Sequence, residues 1–135
     1  MHLPILTLAA FLSGHWSCVS GSQTYTADWS LVPHTEWLRG INTAVLAGGT
    51  STSEDMQTYD AARGVWRIVD MEPDGAMSVL EGRSNDVNHI ATVSTYPDAT
   101  QRVRYDRISE REYTLTFDFT IAGKPSHWID DCTRS

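Results

Sequence analysis

The sequence predicts an all-β chain, a closed antiparallel up-and-down barrel of about ten strands with a short N-terminal helix. Three observations predict it. Apolar and polar residues alternate with period two in one segment after another, turn-forming residues punctuate these segments at short intervals, and no amphipathic helix is visible past the first dozen residues. At 135 residues the chain has room for one proper core, so residues 1–135 are expected to form a single domain.

The first element is residues 1–12, where an apolar run contains Pro4 and Thr7. It is too short to span a bilayer. Leu8-Ala9-Ala10 loosely resembles a signal-peptidase site, yet only Met1 and His2 precede the run and neither supplies the basic flank of a signal peptide. Two readings stay open: a targeting remnant, or a helix whose Ile5, Leu8, Ala9 and Leu12 plug one end of the barrel.

Strands are expected over residues 13–20, 24–32, 36–46, 55–61, 65–72, 76–84, 87–96, 101–109, 112–121 and 126–133. Between them lie Asp60-Ala61-Ala62-Arg63-Gly64, Glu72-Pro73-Asp74-Gly75, Tyr96-Pro97-Asp98 and Ala122-Gly123-Lys124-Pro125, all with turn chemistry. Gly48-Gly49-Thr50-Ser51-Thr52-Ser53 reads as a flexible surface loop. The clearest alternation sets Tyr113, Leu115, Phe117, Phe119 and Ile121 against Glu112, Thr114, Thr116, Asp118 and Thr120. Tyr25, Ala27, Trp29 and Leu31 oppose Thr24, Thr26, Asp28 and Ser30 in the same way. One face of each strand must therefore be buried. Ten strands enclose more volume than a terminal plug fills, which makes an internal cavity the expected consequence.

Cys18 and Cys132 lie near opposite ends of the chain. The first and last strands of a barrel become neighbours on closure, so a bridge between these positions would lock the seam and imply a secreted or periplasmic protein. Two buried thiols in a reducing compartment are the alternative.

Phe11-Leu12-Ser13-Gly14-His15-Trp16-Ser17-Cys18 resembles the Gly-x-Trp opening strand of lipocalins and their calycin relatives. Tyr59-Asp60, Arg63-Gly64, Trp66, Asp74-Gly75, Trp128 and Cys132-Thr133-Arg134 extend that resemblance over nearly the whole chain, which is similar to small secreted bacterial lipocalin-like domains and, more distantly, to nitrobindin-like barrels. The resemblance implies a calycin-type barrel with Trp16 packed across the closed end and a terminal arginine, Arg134, covering it. The third lipocalin signature is missing. Nitrobindin-like proteins hold haem through a histidine inside the barrel, but no motif assigns such a residue here, and no cofactor is expected.

Seventeen acidic residues against ten Lys and Arg give a net charge of −7, which argues against a nucleic-acid partner. The histidines at 2, 15, 34, 89 and 127 form no metal-binding spacing. Serine, histidine and carboxylate are all present without a nucleophile elbow, so no triad is assigned. Asp130 and Asp131 should point to opposite faces and read as surface charge. His89 shares a phase with Val87, Ala91 and Val93, while Arg39 is in phase with Trp37 and Ile41, and Arg107 with Val103 and Tyr105. If those phases face inward, His89, Arg39 and Arg107 are weak catalytic candidates, and a buried guanidinium would need an anionic partner. Trp37, Tyr59, Tyr105 and Trp128 join them as candidate ligand-binding residues; Trp66 reads with these aromatics as core or pocket wall.

The leading functional expectation is binding or carriage of a small apolar or amphipathic molecule in the barrel cavity by a monomer or homodimer without a membrane span. An enzyme performing isomerisation, cyclisation or elimination on a small hydrophobic substrate is the alternative. A fully packed structural or protein-interaction domain is the third.

Overall fold

The computed structural model describes residues 2–135. The chain opens with α1 (Leu3–Leu12) and continues through β1 (Gly14–Ser20), β2 (Gln23–Leu31), β3 (Leu38–Leu46), β4 (Gly49–Asp60) and β5 (Val65–Met71). It ends with β6 (Met77–Gly82), β7 (His89–Tyr96), β8 (Gln101–Ser109), β9 (Glu112–Ile121) and β10 (Lys124–Arg134). Each strand pairs antiparallel with its sequence neighbour, and β1 pairs with β10 to close the ring, so the predicted ten-stranded up-and-down barrel is what forms.

One end of the barrel is sealed by α1. A helix of ten residues is marginal in water, and packing holds this one: Ile5, Leu8, Ala9, Phe11 and Leu12 are buried against the ends of the strands. Its last carbonyls, which no further turn can satisfy, are met from outside the helix, because the Arg134 guanidinium donates to Ser13 O at 3.1 Å and to Phe11 O. The same guanidinium lies 4.3 Å from the Trp16 ring centroid, and Trp16 is fully buried with its indole N–H donating to Leu12 O at 2.8 Å. Arg107 also packs at this end, 4.1 Å from the Phe11 ring centroid. Gly14 precedes Trp16 with φ +128°, and a side chain there would meet Arg134 Nη1 at 3.1 Å, which gives the Gly-x-Trp opening a physical reason.

Cys18 and Cys132 are direct partners in the β1–β10 ladder, with Cα atoms 4.1 Å apart, and they form a disulfide inside the closing seam. Both are buried.

Two expectations need correction. Residues 48–53 are not a flexible loop: β4 begins at Gly49 and pairs with β3 from Leu46↔Gly49 to Asn42↔Ser53 across a tight turn. Polar residues occupy both faces there because Ser51 and Ser53 face an open interior while Thr50 and Thr52 face solvent, so no apolar alternation marks the strand. The inward face of β7 is Ile90, Thr92 and Ser94, the opposite of the phase read from Val87, Ala91 and Val93. Small hydroxyl residues are tolerated inside because they bond backbone: Thr92 Oγ1 donates to Val103 O at 3.0 Å and Ser94 Oγ accepts from Gln101 N at 3.0 Å.

Candidate functional site

Above the plug, the barrel encloses a cavity of about 600 Å³ that opens at the end carrying the β1–β2, β3–β4, β5–β6, β7–β8 and β9–β10 turns. Its floor is made by Leu12, Trp29, Ile90, Tyr105 and Tyr113. Trp29 leans into the interior over Gly40, its register partner on β3, where an added Cβ would sit 2.7 Å from the indole. The Trp29 N–H donates to Tyr113 Oη at 3.2 Å. Toward the mouth, Phe117, Phe119 and Trp128 form a stacked ladder with centroids 4.8–6.0 Å apart. Trp128 retains 38% exposure, so this ladder is a surface within reach of a guest and not a finished core.

The charged part of the lining is acidic. Asp55 on β4 and Asp70 on β5 are direct register partners, so their side chains emerge on the same face within hydrogen-bond reach of each other. Asn42 Nδ2 donates to Asp55 Oδ2 at 2.9 Å. Glu72, just beyond β5, extends the cluster to the mouth and shares a hydrogen bond with Asp70. Burial raises the Asp70 pKa to about 7, and the neighbouring Asp55 carboxylate adds to the shift. Glu72 is also raised to about 7, by desolvation first and by Asp70 second. Asp55 is shifted upward by burial, which outweighs its hydrogen bonds from Asp70 and Asn42.

A second acidic position completes the wall. Asp130 Oδ2 accepts a 2.6 Å hydrogen bond from Tyr25 Oη, while Asp130 Oδ1 is buried with no partner among the described residues. Tyr105 Oη is likewise buried and unpartnered. Burial and the Asp130 contact push the Tyr25 pKa far upward, so its hydroxyl stays protonated and donating. Asp55 and Asp130 each raise the pKa of both Tyr25 and Tyr113, which places the two carboxylates around the same pair of phenols.

Of the residues singled out from sequence, Tyr105 and Trp128 line the cavity. Arg39 does not: β3 turns Leu38 and Gly40 inward, and Arg39 forks onto Glu54 on the outer surface at 2.7 and 3.2 Å. His89 is also outside, 2.7 Å from Asp106. Burial of Asp106 works to raise its pKa, but the hydrogen bonds from His89 and Arg104 outweigh it and hold the carboxyl below its usual range. Arg107 covers Phe11 beneath the helix plug. Tyr59 packs against Trp66 at the sealed end, and half-buried Trp37 sits in the β2–β3 connection, where its carbonyl accepts from Val32 N. The residues expected as a single site are therefore spread over both faces and both ends. A histidine-held haem does not fit, because no histidine is among the described residues lining the cavity.

Asp55, Asp70, Glu72 and Asp130 were missed, and Asp130 is corrected from surface charge to buried wall at 5% exposure. Asp131 does face out, as the strand alternation requires. A signal was present: Asp70 and Glu72 continue the phase of Trp66 and Ile68, and Asp130 that of Trp128 and Cys132.

Among the described residues no group of three His, Cys, Asp or Glu side chains is placed to hold a metal ion, and no helix is long and apolar enough to cross a membrane. No family model matches this chain, and no curated protein does.

Proposed function

We propose that this protein binds or carries a small apolar or amphipathic molecule in the barrel cavity. The observation that carries the proposal is the half-exposed Phe117, Phe119 and Trp128 ladder along the wall of a 600 Å³ space that the chain's own side chains leave open. A barrel built only for stability would fill its interior, since packing to crystal-like density is what core residues gain from. The lipocalin-like resemblance supports the same reading by fold analogy, and the buried disulfide supports assignment to an oxidising secreted or periplasmic compartment.

The polar anchor on this reading is carboxylate, not guanidinium. Arg39 and Arg107 have partners elsewhere, so neither presents to the cavity the buried guanidinium considered from sequence.

Titration of tryptophan fluorescence with phenylbutanol, a neutral aryl-alkyl probe, tests binding. Saturable change in emission is expected, and Trp128→Ala should remove most of it. If no change occurs and a crystal structure shows side chains filling the mouth, the domain is a packed structural one.

A second reading has one specific observation behind it. Asp70 and Glu72, held near a pKa of about 7 beside a solvent-open cavity, are suited to general acid–base work on a small hydrophobic substrate. A carrier returns its ligand unchanged, so chromatographic recovery of the bound molecule after long incubation separates the two.

A further inference from the structure

We propose, resting on the small-molecule reading above, that the guest is an amphipathic organic ammonium. Its cationic head lies between Asp130 and the Asp55–Asp70 pair, with its apolar body against Phe117, Phe119 and Trp128.

Charge is the first argument. Four carboxyl groups line the cavity, and no Lys, Arg or His is among its described lining residues. An anionic guest would meet only like charge, and a neutral one would leave the acid wall without a counter-charge.

The second argument is independent of the cluster. Asp130 is 5% exposed and Tyr105 is 6% exposed; both line the cavity, and each has an oxygen with no partner among the described residues. Unmatched buried polar atoms in a native wall indicate a polar guest. The orphan on Asp130 is an acceptor, and an ammonium brings three donors with the complementary charge.

Topology supplies the third. In the closed order of ten strands, β4 stands halfway round from β9 and β5 halfway round from β10. Asp55 and Asp70 therefore face the wall that carries the aromatic ladder, and a molecule with one cationic and one apolar end spans the two. Because no three of the acidic groups converge on a metal-sized point, an extended organic cation fits their spread better than a bare ion.

Binding should then be linked to protons. The groups facing Asp70 are Asp55 from β4, Glu72 beside it and, through Asp55, Tyr25 from β2, Tyr113 from β9 and Asp130 from β10; Asp74 lies behind Glu72. None of these is basic. An alkylammonium keeps its charge across the neutral range, so its head would favour the ionised carboxyls and displace the protons they hold.

Calorimetric titration of the intact protein with phenylbutylamine, phenylbutanol and phenylbutyrate, three head groups on one skeleton, tests this. At about pH 8 the amine should bind at least ~10-fold tighter than the alcohol, with phenylbutyrate weakest. At about pH 5 the amine's advantage should shrink several-fold while the alcohol stays level. Measured heats should differ between buffers of different ionisation enthalpy, reporting proton release. Asp130→Asn and Asp70→Asn should each narrow the affinity gap between amine and alcohol at about pH 8 most of the way to parity. If either variant fails to fold, the three-probe comparison on the wild-type chain still decides. Alcohol binding equal to or tighter than amine at pH 8, or butyrate tightest, overturns the ammonium assignment and leaves the binding reading intact. No binding by any probe removes both.

Discussion

The two halves of this barrel treat charged groups in opposite ways, although the sealed end also leaves one buried polar atom, Trp66 Nε1, without a partner among the described residues. At the sealed end every cation is placed over something that answers it: Arg134 over Trp16 and the helix carbonyls, Arg107 over Phe11. In the open half, Asp55 and Asp70 crowd each other, while Asp130 Oδ1 and Tyr105 Oη have no partner among the described residues. The wall between is continuous, so the contrast does not come from the sheet. It comes from what fills the space: a helix at one end and an open cavity at the other. On the proposed binding function, the sealed end carries the packing that stabilises the fold and the open half keeps charge and hydrogen bonds for a guest.

If that division is right, the largest stability effect belongs to the sealed end. Trp16→Ala should cost roughly 3–5 kcal/mol, the range for removing a large buried aromatic. Denaturant unfolding checks it, and an unchanged midpoint would break the comparison outright. Next comes the seam. Reducing the Cys18–Cys132 bridge, or replacing both cysteines by alanine, should remove about 2–4 kcal/mol, because the bridge closes a loop spanning 114 positions of chain. Melting with and without reductant reads this directly. Arg134→Met should lose about 1–2 kcal/mol through its cation–π contact and the helix carbonyls it serves.

The open half should respond with the opposite sign. Asp70 binds its proton more tightly folded than unfolded, so its contribution to stability is present in full below about pH 4 and is lost as pH rises through about 7. Asp70→Asn should therefore raise stability at pH 8 by roughly 1 kcal/mol, allowing for partial solvent screening, and by nothing near pH 4. Melting curves at the two pH values test the sign. A variant less stable than wild type at pH 8 would show that the carboxyl is a structural partner and not a group held out for function.

Much of the barrel was legible because its strands declare themselves. Residues 101–109 and 112–121 match β8 and β9 end to end, and the Tyr113 to Phe119 alternation names the inner face. The seam disulfide, one of two readings left open for the cysteines, was legible from their placement near opposite chain ends and the closure of a barrel. The acid wall was not legible, for a definite reason. Reading interior polar residues from phase assumes that the apolar side of a strand faces in, and that holds only where the interior is packed. β4 lines the open cavity with Ser51 and Ser53, and β7 buries Thr92 and Ser94 on backbone hydrogen bonds, so these inner faces carry little hydrophobic signature. The same assumption sent Arg39 and His89 inward. Their salt-bridge partners, Glu54 and Asp106, come from neighbouring strands and are fixed by register, which the sequence does not display. Asp70 and Asp130 were in phase with Trp66 and Trp128, yet an isolated acidic residue in phase is far more often at a bulge or mouth than buried.

The measurement that bears most directly on the division between the two halves is a carboxyl-carbon NMR titration of the empty protein. Asp70 and Glu72 should titrate with midpoints near 7, in curves that influence each other, while Glu54 and Asp106, each bonded to a cationic partner on the outer face, should remain ionised well into the acid range. If instead Asp70 and Glu72 titrate independently near about 4, as solvated carboxylates do, the open half is ordinary wet surface and the contrast with the sealed end disappears.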